Sequence, residues 1–143
     1  RGEWIVLLVA ATLVPPTLFA TLDGLSEDHV FVAPSGRAML DRATTAKILV
    51  GEIRPWEHWG DLVAGAEELR TAESKGVPIG YCQCFRKTCL DKVRYEEYEH
   101  FQGADYEFGR AMRRHFGREH RLDFPVLHLD HEGSQWYGAR KQF

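Results

Sequence analysis

Apolar residues dominate the start of the chain: Trp4 to Leu22 runs nineteen residues without a charge. That length approaches a bilayer-spanning helix. Pro15 and Pro16 fall in its middle, where proline removes a helical hydrogen bond and clashes with the preceding turn. The Ile-, Val- and Leu-rich part from Ile5 to Val14 therefore reads as a strand buried on both faces, and a membrane or signal segment is the disfavoured alternative. Pro16 can open a helix, with Leu18, Leu22 and Leu25 following at helical spacing. His29 to Ala33 (HVFVA) reads as a second strand. Two strands joined by a helix predict a right-handed, parallel βαβ unit.

Pro34-Ser35-Gly36 ends that strand, and Ser35 is a candidate N-cap for a helix through Ala38, Met39, Ala43, Ala46 and Leu49, closed by Gly51. Asp61 can cap a helix through Leu62, Ala66 and Leu69. Val77 to Phe85 reads as a third strand. Leu90 to Phe101 and Phe108 to Phe116 read as helices, separated by Gly103 and stopped by Gly117. Phe124 to Asp130 is a last strand, with Pro125 tolerable only near its start or at an edge. Gln135 to Tyr137 adds a short edge. With no repeat or linker, residues 1–143 form one α/β domain. The expected architecture is Rossmann-like, a mostly parallel sheet of four to five strands flanked by helices.

Composition narrows the class. A chain of 143 residues that is 44% hydrophobic and 27% charged is neither disordered nor fibrous. The net charge is −3, yet residues 1–72 hold six basic against ten acidic side chains and residues 73–143 twelve against eleven. Basic character is local. Cys82, Cys84 and Cys89 fall within eight residues, unlike the dispersed even set of a disulfide-stapled secreted domain, so a reducing, cytoplasmic compartment is expected. The opening Arg1-Gly2-Glu3 has no methionine, which leaves targeting open.

Candidate chemistry gathers in three places. The cysteines lie at the end of an expected strand, with Arg86 and Lys87 beside them, a setting that favours thiolate. Cys84, or Cys82, would then be a nucleophile with His128 as base; packing as small apolar side chains is the other reading. The three thiols with His128 or His131 would also make four zinc ligands, but C-x-C departs from the usual C-x2-4-C spacing. No metal or other cofactor is therefore expected, with structural zinc as the minor alternative. His128 and Asp130 share a strand face, as a base and its orienting carboxylate would.

The second place is the run Arg110, Arg113, Arg114, Arg118 and Arg121. On a helix Arg113 and Arg114 lie beside Arg110, and arginine forks suit phosphate; a solvated face paired with nearby acids is the bland reading. The third is Ser35-Gly36-Arg37 at an expected strand-to-helix junction, where N–H groups, a hydroxyl and a guanidinium would meet an anion. No G-x-G-x-x-G or G-K-[ST] is present.

Residues 4–36 resemble the opening of CARF domains, the CRISPR-associated Rossmann-like ligand sensors. The resemblance rests on an apolar strand (IVLLVAATLV), a Pro-bearing turn and helix (PPTLFATLDGLS), Asp28-His29-Val30-Phe31-Val32 and a Pro34-Ser35 turn. It covers under a quarter of the chain. Where many of those sensors carry a Gly-Thr-Lys type loop, this chain has Tyr81-Cys82-Gln83-Cys84-Phe85-Arg86-Lys87. The resemblance implies a cyclic oligoadenylate near Ser35, Arg37 and Lys87, with slow phosphodiester cleavage.

The leading expectation is a nucleotide-type, phosphate-bearing ligand at the strand ends, held by Ser35, the Gly36 N–H, Arg37 and Lys87, with Arg113 or Arg114 adding charge. The partner is a phosphorylated small molecule or a short single-stranded nucleic acid. Overall acidity argues against an extended duplex, and a homodimer is left open. The alternatives are the cysteine-dependent enzyme, and a membrane-anchored or partner-binding module with structural cysteines.

Overall fold

A computed structural model describes residues 2–70, 73–78, 80–96, 103–131, 136–137 and 140–141. In chain order the elements are β1 (Trp4–Leu8), β2 (Thr12–Leu13), α1 (Leu18–Asp23), β3 (Phe31–Ala33), β4 (Arg37–Met39), α2 (Arg42–Leu49) and α3 (Trp59–Ala64). There follow β5 (Glu68–Arg70), β6 (Glu73–Ser74), β7 (Val77–Pro78), β8 (Cys82–Arg86), a 3-10 turn (Lys87–Asp91) and α4 (Ala104–Phe116). The chain closes with β9 (His120–Arg121), β10 (Val126–His128), β11 (Trp136–Tyr137) and β12 (Arg140–Lys141).

Two four-stranded sheets carry the fold, in the orders β1-β8-β3-β9 and β2-β10-β4-β5. Only the β3–β9 and β4–β10 ladders are parallel among the described strands; the remaining pairs are antiparallel. The mostly parallel, Rossmann-like α/β sheet expected from the sequence is thus corrected to mixed, mainly antiparallel sheets with few helices. The first two long apolar strands do not pair with each other. β8 lies between β1 and β3, antiparallel to both.

The two sheets are one continuous surface at the parallel ladders. Leu122 N–H donates to Ala33 O (2.9 Å), Ser35 N–H to Phe124 O (3.0 Å) and Val126 N–H to Gly36 O (2.9 Å), so pairing continues through Pro34–Gly36. From Ala33↔Arg121 to Arg37↔Val126 the second strand spends one residue more than the first. This is a bulge, and Pro125 sits within it, where a missing N–H breaks no ladder bond. β1 and β2 lie at the outer edges of the two sheets and are separated only by Val9–Ala11. The joined sheet therefore curls until a three-residue turn links its edges.

Strand alternation then sorts the side chains. Val32, Cys82, Cys84, Leu122 and Val126 face inward around Leu18 and Leu22 of α1. Phe31 and Phe85 point the other way, onto Phe108 and Met112 of α4. Gly109 lets α4 approach that closely, since a Cβ there would sit 2.6 Å from Val77 Cγ1 and 2.9 Å from Pro78 O. On the second sheet Ala38, Leu40 and Leu127 pack against Leu62 of α3, with Ile48 of α2 alongside. Asp41, not Ser35, caps α2, accepting from Thr44 N–H at 2.6 Å.

No helix among the described residues is long and apolar enough to cross a membrane. The helix expected over Leu90 to Phe101 is a 3-10 turn ending at Asp91, and its last residues, like Gln135, lie outside the described residues.

Candidate anion-binding site

The face of the second sheet opposite Leu40 and Leu127 is polar. Alternation along β4 and β10 turns Arg37, Met39, Val126 and His128 to this side, and Thr12 joins them through its pairing with His128. β5 adds Glu68 and Arg70, opposite Met39 and Arg37. Tyr81, at the entry to β8, covers the group: its ring lies 3.7 Å from the Arg37 guanidinium carbon and 5.4 Å, edge-on, from the His128 ring.

These groups are enclosed. Arg37 is 6% exposed, Tyr81 6% and His128 2%. Arg37 stacks on the Tyr81 ring, and its Nε and Nη1 find no partner among the described residues. The same holds for Thr12 Oγ1 and His128 Nδ1. Glu68 lies nearby but bonds Arg70 at 2.6 Å, and Arg37 has no carboxylate ion pair among the described residues. A buried guanidinium without its own anion is costly. Desolvation lowers the Arg37 pKa from its ordinary value, but an arginine remains charged at neutral pH. Burial lowers the His128 pKa to about 4, with Arg37 and His131 pushing the same way. The imidazole is neutral at pH 7.

Gly36 belongs to this architecture. A Cβ on it would meet the Arg70 carbonyl oxygen at 2.5 Å, so glycine lets β5 close against β4 beside Arg37.

The structure brings together Arg37 and His128, which the sequence assigned to different sites. It does not gather the rest. Ser35 is exposed, with its N–H in the ladder to Phe124, and no helix starts there. Lys87 is exposed, its N–H bonded to Glu3 O at 2.7 Å. Because β8 runs antiparallel to β3, Arg86 N–H bonds Val30 O, placing Lys87 at the start of β3 and Ser35–Arg37 beyond its end. Arg113 grips the buried Glu119 carboxylate through Nε and Nη2 (both 2.7 Å) and also bonds Gly76 O. Arg121 shares Glu119 at 2.8 Å and Arg110 pairs with Glu107 at 3.1 Å. Much of the basic run is therefore internally neutralised, while Arg114 stays exposed.

Cys84 is fully buried, its sulfur 3.7 Å from that of Cys82. The Cys82 contact and burial both push its thiol pKa up, so it is protonated and enclosed, opposite to what a nucleophile needs. Cys89 faces the other cluster, with Phe31 and Phe85. Among the described residues no group of three or more His, Cys, Asp or Glu side chains is gathered to hold a metal.

Tyr81 and Thr12 were not singled out from the sequence. The available signal was slight: Arg37 is a lone charge leading the apolar run Ala38-Met39-Leu40.

No protein-family model matches the chain, and no characterised protein is similar to it in sequence.

Proposed function

We propose that the protein binds a phosphate-bearing small molecule, with Arg37 as the principal anion ligand and His128 and Thr12 completing its hydrogen bonds. One observation carries this reading: a guanidinium 6% exposed has two donor nitrogens without partner and no ion-paired carboxylate among the described residues. A phosphoryl oxygen supplies both the charge and the acceptors that Arg37 lacks, and arginine binds such oxyanions in a fork. Thr12 Oγ1 can donate its hydroxyl proton. His128 can donate from Nδ1 in the tautomer that carries the proton there. Tyr81 swings aside for entry, exchanging its contact with the guanidinium for one with the ligand.

Calorimetric titration with inorganic phosphate and with a nucleoside monophosphate tests this. Saturable binding of one anion per chain is expected, lost in Arg37→Met and retained in Arg114→Ala. No binding of either anion, or binding indifferent to Arg37→Met, overturns it. A stronger response to the nucleotide assigns the ligand class that the sequence suggested.

A further inference from the structure

The second sheet ends at β5, and no strand among the described residues pairs with its outer edge. Val126 N–H donates to Gly36 O (2.9 Å) and Leu40 N–H to His128 O (3.0 Å), so alternate residues from Gly36 to Leu40 direct their backbone groups at β10. Those of Arg37 and Met39 then turn to β5, where Arg70 and Glu68 stand opposite them. The Leu69 N–H and C=O are left pointing out of the sheet edge. The Leu69 side chain shares the face of Ala38, but Leu69 is 66% exposed where Ala38 is buried. A backbone donor, a backbone acceptor and an aliphatic side chain are thus presented together at an open edge.

We propose that β5 is a homodimer interface, pairing antiparallel with β5 of a second copy across a two-fold axis at Leu69. Proteins commonly protect an exposed edge with charges that oppose pairing. Here the charges are self-complementary. Antiparallel pairing about Leu69 sets Glu68 opposite Arg70 of the second copy, and Arg70 opposite its Glu68, as an isologous contact requires. Within each chain Glu68 already bonds Arg70 at 2.6 Å, so the two pairs complete an alternating set of four charges on one face. On the other face Leu69 meets its own copy, and the outward N–H and C=O of each Leu69 close two hydrogen bonds between the chains. Centring the axis on Glu68 or Arg70 instead would oppose like charges and find backbone groups already turned to β4. Three residues a side bury less than a standard interface, so association is weak and reversible.

Sedimentation equilibrium of the intact chain over a range of concentrations tests this. A monomer–dimer equilibrium is expected. It should weaken about tenfold in Leu69→Lys and in Glu68→Lys, both of which set like charges across the axis, and stay unchanged in Leu49→Lys, where the exposed leucine lies on α2. Amide exchange of the unmodified protein gives a readout that needs no variant to fold: the Leu69 N–H must exchange more slowly as concentration rises. A monomer at every concentration, a dimer indifferent to Leu69→Lys and Glu68→Lys, or Leu69 exchange independent of concentration overturns the proposal.

Discussion

Replacing Arg37 by methionine removes a buried charge while keeping most of the volume of its aliphatic stem. In the free protein the two unpartnered guanidinium nitrogens each cost about 1–3 kcal/mol as unsatisfied buried donors. Against that stands the contact with the Tyr81 ring at 3.7 Å, worth about 1–2 kcal/mol when desolvated. The balance makes Arg37→Met equal to the parent or more stable by about 1–2 kcal/mol, a rise of several degrees in Tm for a domain of this size. Ligand reverses the order. At about one hundred times Kd a bound anion stabilises the parent by about 2.7 kcal/mol and the variant not at all. Thermal melts of both proteins with and without phosphate measure this, and the variant's response gives the non-specific salt effect of phosphate. A variant that melts far below the parent without anion, and gains as much from phosphate, would refute the reasoning.

Acid should weaken the fold through His128. Its folded pKa of about 4 lies below the ordinary 6.5, so the unfolded chain binds more protons between those values; stability is full above pH 6.5 and falls towards pH 4, by about 2 kcal/mol after allowance for solvent screening, and His128→Phe should flatten the profile in denaturant titrations. Gly36→Ala should cost about 1–3 kcal/mol by overpacking against the Arg70 carbonyl, seen as a lower denaturant midpoint with unchanged slope. Glu119→Gln should cost about 3–5 kcal/mol by stripping the buried charge from Arg113 and Arg121. Cys82, Cys84 and Cys89, all buried, should alkylate slowly in the folded state and together once unfolded; one fast thiol would revive nucleophile chemistry.

What could be read from residues alone was local. The prolines at 15 and 16 separated strand from helix, Leu18 and Leu22 fell in the expected helix, and Gly117 ended α4, but the expected doubly buried strand Ile5–Val14 is two half-buried edge strands, Trp4–Leu8 and Thr12–Leu13. Partner and direction of each strand were not legible, because apolar alternation marks a strand without naming its neighbour. That gap changed the site. Parallel pairing would have put Ser35 and Lys87 on one rim, whereas β8 running antiparallel beside β3 parts them. Pro34-Ser35-Gly36 looked like a helix entry because its residue types serve caps and extended turns alike; the ladder through Phe124 kept it extended, opposite the bulge at Pro125. Arg37 was noticed for its charge. Its pairing with His128 across the β4–β10 face, under Tyr81, depends on contacts more than forty residues apart in sequence.

The most direct test of the central claim is a crystal structure of the protein grown with a phosphate-bearing ligand. The account predicts a tetrahedral anion bonded to Arg37 Nε and Nη1, within reach of His128 Nδ1, with the Tyr81 ring displaced. An anion seated instead on Arg114 or Lys87, with the Arg37 donors capped by the chain's own carbonyl groups, would contradict it.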